Sequence, residues 1–360
     1  MNPSVLDTAP GPSFTKIARG ATGHRRRAPM CAGEIALKET PKVTLSRLEL
    51  RPACTPRWKM MAPQSEIQPH GHPLAGFDEA QLTRVASLLP MSPTILLEVQ
   101  QALDDGVSGA QHLSRIVRRD PALVVTMLRL INSAFYGLPQ QITRPTTAIA
   151  YLGNQEVYRL VITASIVNTF RRVDRALLEG FWRQATLSAL LTRDLTRSRA
   201  RWLSSSTAWT LGLLHEVGAL ACLAIDPTAY LRISEWRATH HGLPEEAERA
   251  LGVAPLTAYG AILCREWRLP HLFEVAAVGH RTGIAPADTS VDEADYLRFT
   301  AAASGLAHLV SDQLRDDVRD QLAEHVCELL NIDSHTFWDL VIETHKLRDE
   351  AERSVSDLLS

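Results

Sequence analysis

The chain has 360 residues, is 45% hydrophobic, and carries 38 Lys or Arg against 40 Asp or Glu, for a formal net charge of -2. That length is enough for two domains and a substantial buried core. The near-neutral balance gives no overall electrostatic pull toward nucleic acid or a membrane, and neither is expected as a partner.

The charge is nevertheless uneven. Residues 1–77 hold eleven basic against five acidic residues, and the rest of the chain holds 27 against 35. Cys31, Cys54, Cys222, Cys264 and Cys327 are odd in number and widely spaced, with no Cys-x-x-Cys pair. A reducing cytoplasm is therefore expected rather than a disulfide framework. No run of about eighteen apolar residues stands out as a membrane span, and no basic start followed by an apolar core marks a secretory signal.

In chain order, residues 1–77 are rich in Pro, Gly, Ser, Thr and Arg without sustained periodicity, and a disordered basic tail is expected. The Arg25-Arg26-Arg27 run reads as a solvated cluster, and His70-Gly71-His72 has no carboxylate or Cys nearby to make it a ligand set. A start of translation at Met60 or Met61 would remove most of this tail. From Asp78 onward the apolar spacing is helical, through Leu82-Val85-Leu88 and Ile95-Val99-Leu103.

The stretch Asp120 to Gly137 is written as a helix with both ends. Asp120 is a good N-cap, and Pro121 takes the first helical position, where its missing N–H costs nothing. Leu123, Met127, Leu130 and Ala134 form one apolar stripe, with Gly137 and Pro139 as stop signals. Asn132, Phe135 and Tyr136 crowd the exit, where they can fill a junction or mark a partner contact. Gly153-Asn154 reads as a tight junction in which one helix ends and Asn154 caps the next, and Val157 to Val167 carries a new stripe. The helix 155–170 is too apolar for a nucleic-acid recognition helix, with Arg159 its only basic residue before Arg171.

Further helical segments follow over 181–196, 207–223, 229–240, 244–251, 255–267 and 270–280, then a loop over 283–290 and helices over 296–314, 317–330 and 334–358. No run of alternating β-branched residues appears, so the fold expected is all-α, a compact multi-helix bundle. Together with Leu-Leu-Pro-Met-Ser-Pro at 88–93, Ile142-Thr143 and Ala148-Ile149-Ala150-Tyr151-Leu152-Gly153, the Asp120 stretch resembles the HDOD family, a bacterial signalling domain related to the HD phosphohydrolases. The resemblance spans residues 80–285. It implies an HDOD domain over 78–285, with an N-terminal helical half at 78–175 and a degenerate HD-like half at 176–285, followed by a helical extension over 286–360.

An HD-type hydrolase holds divalent metal with a His from one helix, a His-Asp pair from another, and further His or Asp downstream; the metal makes a hydroxide nucleophile and neutralises phosphate. By resemblance, Leu214-His215-Glu216-Val217 stands at the His-Asp pair, with Glu216 in place of Asp and its carboxylate carried about 1.5 Å further out by one carbon-carbon bond. Gln184 stands where the first His would be, Pro255 or Leu256 where another is expected, and His280 is kept on the last helix. Gly-Tyr-Pro does not follow His280, which argues against the cyclic-di-GMP phosphodiesterase branch. No bound metal or other cofactor is expected, because His215, His280 and an imperfect Glu216 fall short of three good ligands and an open position. His240-His241 sits before Gly242 and Pro244, where an imidazolium suits a helix C-terminus.

What the resemblance implies is a non-enzymatic regulator of bacterial signal transduction in motility, stress or virulence pathways. Such a protein works through contacts with a kinase or a cyclic-nucleotide signalling enzyme, in the cytoplasm. One alternative is a divergent metal-dependent phosphohydrolase using His215, Glu216 and His280 with help from Asp226 or His241. Another is a module whose degenerate pocket senses a nucleotide without cleaving it.

Overall fold

The computed structural model describes residues 84–85, 87–88, 93–105, 109–132, 136 and 138–359. The chain divides into two units, Met1–Glu66 and Ile67–Ser360. The expected disordered tail lies outside the described residues, as do Ala134, Phe135 and Gly137.

Every regular element among the described residues is helical, with no strand among them. Among the described residues the first half contains α1 (Thr94–Asp104), α2 (Ala110–Val117), α3 (Pro121–Ile131), α4 (Pro145–Leu152) and α5 (Asn154–Thr169). Helix α3 begins as the sequence dictates, with the Asp120 carboxylate accepting from the Leu123 amide at 3.0 Å and Pro121 in the first turn. Its Leu123, Met127 and Leu130 are buried.

It ends at Ile131, short of the expected run to Ala134. The cause is Asn132, whose Nδ2 donates to the carbonyls of Leu128 and Ile142, each at 2.7 Å, while its Oδ1 accepts from the Ile142 amide at 2.7 Å. One side chain thus closes the helix and ties it to the segment leading into α4. At the next junction Gly153, not Asn154, makes the corner. Its φ of 81° is open to a residue without Cβ, and Asn154 is already helical. Helix α5 is then buried almost all round.

The second half starts with α6 (Arg175–Arg199), a long spine capped by Asp174, whose carboxylate accepts from the amides of Ala176 and Leu177. After it come α7 (Ser205–Leu214), α8 (Val217–Ile225), α9 (Pro227–His240), α10 (Pro244–Leu251), α11 (Leu256–Glu266) and α12 (His271–Gly279). The apolar stretch read as one helix over 207–223 is two, broken at His215-Glu216.

The apolar residues on both sides of His215-Glu216 hid the break, because no Pro separates them. Docking requires it: α8 comes so close to α11 that a Cβ on Gly218 would lie 2.0 Å from the Leu256 carbonyl oxygen. Ser205–Ile225 is also, by length and composition, apolar enough to cross a membrane, which the sequence reading did not anticipate. In the structure 83% of its most apolar window is buried inside the protein, as befits a core element.

The last helices are α13 (Val291–Ser311), α14 (Asp316–Leu330) and α15 (Ser334–Leu359). They are built into the domain. Helices α13 and α15 both pack along α6, α15 also reaches α3, and one hydrophobic cluster runs from Val85 to Val355. This packing brings α13 against α7 and α12, where the candidate site lies.

Candidate functional site at the α7–α8 corner

Helix α7 is capped by Ser204, whose hydroxyl accepts from the Thr207 amide, and every residue from Ala208 to Leu214 is buried. The chain therefore carries His215 into the interior, with 1% of its surface exposed. There its Nδ1 donates to the Gly212 carbonyl at 2.7 Å. His280 ends α12 in the same manner, 3% exposed, with Nδ1 against the carbonyls of Ala276 and Ala277 at 3.1 and 3.2 Å. A carbonyl can only accept, so both rings carry their proton on Nδ1 and present a bare Nε2. Neither Nε2 has a hydrogen-bond partner among the described residues.

The two rings meet edge to face, centroids 4.8 Å apart, and one ligand atom from each of His215, Glu216 and His280 falls within 4.8 Å of the others. Close packing behind the corner fixes this geometry: a Cβ on Gly260 would lie 3.1 Å from the Ala277 Cβ on α12. Burial pushes the pKa of His215 down and that of His280 well down, the latter helped by His215 and Arg281, so both rings are neutral. Arg281, the next residue, is held in a two-pronged ion pair with Glu248 at 2.7 and 2.8 Å. Glu248 also accepts from the Leu256 amide at 3.0 Å, which anchors the start of α11.

The fourth member comes from α13. His308 approaches Glu216 through Nε2 at 3.5 Å and donates from Nδ1 to Asp312 at 2.6 Å; Asp312 also binds Arg237 at 2.5 Å. Burial works against charge on His308, but Asp312 and Glu216 outweigh it and push its pKa up to about 9. Burial alone would raise the pKa of Glu216. The hydrogen bond and positive charge of His308 instead hold it well below the usual carboxylate range. The carboxylate is thus ionised and already faces an imidazolium.

Of the residues singled out in the sequence, the structure brings His215, Glu216 and His280 together. Gln184 sits half-buried on α6, makes no hydrogen bond to them among the described residues, and leaves its Nε2 buried without a partner. Pro255 is the residue before α11, and Leu256 gives its amide to Glu248.

Asp226 is occupied as the cap of α9, accepting from the Ala229 amide at 2.9 Å. His241 closes that helix with φ 52° and faces the Gln313 carbonyl, while His240 stacks on Trp236. Neither of the extra ligands weighed for a hydrolase joins the cluster. Asn132 is engaged with backbone as described above. The Tyr136 hydroxyl donates to Glu156 at 2.8 Å, and burial followed by Glu156 raises its pKa well above normal.

Sequence reasoning missed His308, Asp312 and Arg237. The only signal available was a His-x-x-x-Asp spacing at the end of an Ala-rich helix, which places the two side chains on one face.

A metal of the HD type would find two neutral imidazole donors here. Its third donor, Glu216, is held by a buried imidazolium, so a cation would have to displace His308 or share the carboxylate with it. The set does not fit a hydrolase centre, and no reaction step is derived through one.

The family model for the HDOD domain matches residues 89–282, more than half of the chain. The chain belongs to the HDOD family. A solved HDOD domain protein of unknown function from Geobacter sulfurreducens superposes with a TM-score of 0.60 at 20% identity, over 78% of this chain and 98% of that one. A candidate phosphohydrolase from Shewanella amazonensis SB2B gives 0.58 at 22% identity, over 77% and 97%. A candidate signal transduction protein from Marinobacter aquaeolei VT8 gives 0.57 at 18% identity, over 78% and 61%.

These likenesses establish a shared helical fold. In sequence, an uncharacterized protein of Treponema pallidum (strain Nichols) is 22% identical over 182 residues, 51% of this chain. The chain spans about a third of that relative's length, since the match covers 35% of it. The HDOD match ends at residue 282, so His308 and Asp312 are contributed from beyond the matched domain.

Proposed function

We propose that this HDOD protein is a non-enzymatic regulator of signal transduction that acts in the cytoplasm through contacts with other signalling proteins, a kinase or a cyclic-nucleotide signalling enzyme being the partner class in view. The observation that carries the reading is the pairing of Glu216 with His308. In a hydrolase the carboxylate beside the histidine serves the metal, whereas here a cation built into the chain neutralises it. Two buried rings with the third donor occupied make a polar plug between α7, α12 and α13, and such a plug positions helices without supplying a nucleophile.

The test is hydrolysis of a panel of phosphomonoesters and phosphodiesters by the full chain with Mg, Mn or Fe(II) added, beside a His215→Ala/His280→Ala variant. No turnover that depends on the two histidines is expected. Turnover lost in the variant would overturn the reading in favour of a metal-dependent phosphohydrolase. That second reading is favoured by one feature, the convergence of two unpartnered Nε2 atoms.

A further inference from the structure

A cavity of about 390 Å³ opens where the ends of α4 and α5 meet α6 and the start of α7, a region that none of the HD-like residues touches. Its walls hold three guanidinium groups, Arg159 from α5 and Arg193 and Arg197 from α6, against a single carboxylate, Glu156. Both oxygens of that carboxylate are taken, Oε1 by the Tyr136 hydroxyl and Oε2 by Arg159 at 2.6 Å. Arg193 holds Asp194, whose carboxylate is not part of the cavity wall. Arg197 is exposed and has no ion-pair partner among the described residues.

With Glu156 set against Arg159 and Asp194 against Arg193, one positive charge remains in excess, on Arg197, which favours an anionic occupant. The planar fork of a free guanidinium such as that of Arg197 matches the oxygens of a phosphoryl group, and Arg159 and Arg193 add the N–H groups that their carboxylates leave over. Two further features extend the match. Ser205 and Ser206 line the cavity with hydroxyls and open α7, whose first-turn amides and dipole favour negative charge, while Arg159 donates to Ser206 at 3.3 Å and so joins the two sides.

Tyr151, 63% exposed, supplies an aromatic wall at the α4 end, the kind of surface on which a planar base stacks. The volume lies in the range of small-molecule sites, roughly 300 to 1,000 Å³. We propose that this cavity binds a nucleotide, its phosphates held by Arg159, Arg193 and Arg197 beside the first turn of α7 and its base against Tyr151. The site is independent of whether the His215–His280 cluster holds metal. It would give a regulator an input at the joint between its two helical halves.

Calorimetric titration of the full chain with ADP, GDP, CDP and UDP in turn, and with pyrophosphate and the parent nucleosides, tests the proposal. At least one diphosphate is expected to bind at one site per chain, more tightly than pyrophosphate or its nucleoside, and to weaken as salt is raised. Arg197→Gln removes an exposed side chain, so the melting temperature should hold while affinity falls about tenfold or more, the scale of a lost charged contact. His215→Ala/His280→Ala should leave affinity unchanged. Absence of saturable binding by any diphosphate would overturn the proposal. So would pyrophosphate binding as tightly as the nucleotides, or affinity that survives Arg197→Gln and disappears with the two histidines.

Discussion

Two corners of this molecule, the exit of α3 and the break between α7 and α8, follow buried helices and are both built around polar side chains, yet they use those groups in opposite ways. At the first, Asn132 commits both ends of its amide to backbone, and Tyr136 and Arg159 satisfy Glu156. At the second, His215 and His280 each commit one nitrogen to a carbonyl and leave the other bare and buried. Polar groups that all find partners hold a backbone in place. Buried acceptors left over instead mark a polar pocket whose occupant the backbone does not supply.

The comparison breaks first at the glycine behind the second corner. Gly218→Val would drive a side chain into the Leu256 carbonyl, and a loss of about 3 kcal/mol or more in urea unfolding is expected, with outright failure to fold as the extreme. An unaltered midpoint would show that α8 can slide on α11, and the corner would lose its rigidity.

Next comes pH, which sharpens the contrast because titration concentrates at the second corner. His308 has a folded pKa of about 9, above its unfolded value near 6.5, so its stabilisation is fully present below about pH 6.5 and fades as pH rises through 9. Across that window the change should be on the order of 3 kcal/mol, and His308→Gln should abolish it. His215 and His280 act with the opposite sign. Their folded pKa values are depressed, so the unfolded chain binds more protons and stability falls as pH drops below about 6.5. His215→Ala/His280→Ala should flatten that acid limb; unfolding followed from pH 5 to 9.5 reads both limbs.

The first corner offers a smaller effect without pH dependence between 5 and 9. Asn132→Ala leaves the Ile142 amide and carbonyl without their side-chain partner, and about 2 kcal/mol should be lost in the same unfolding assay. A loss that varied with pH would mean that the two corners are coupled.

How far the sequence discloses these corners follows from the range of each signal. Asp120 and Pro121 write the start of α3 locally, and the structure has that cap in place. The convergence of His215, Glu216 and His280 was legible only through resemblance, because the 64 residues between the two histidines must fold before the rings meet. The α7–α8 break was hidden because the apolar residues on either side of His215-Glu216 read as one helix. Its cause is the approach of α11, which local spacing cannot report. His308 lay further still, 28 residues past His280 on a helix read as an extension, with only its spacing to Asp312 to mark it. Local capping is written in neighbouring residues, whereas site composition is written in packing.

The most direct measurement is the elemental metal content of the full chain purified without chelators, beside His215→Ala/His280→Ala. The account predicts Fe, Mn and Zn well below one equivalent and unchanged by the substitutions, since His308 already neutralises Glu216. About one equivalent or more, lost in the variant, would contradict it and make the α7–α8 corner a metal centre.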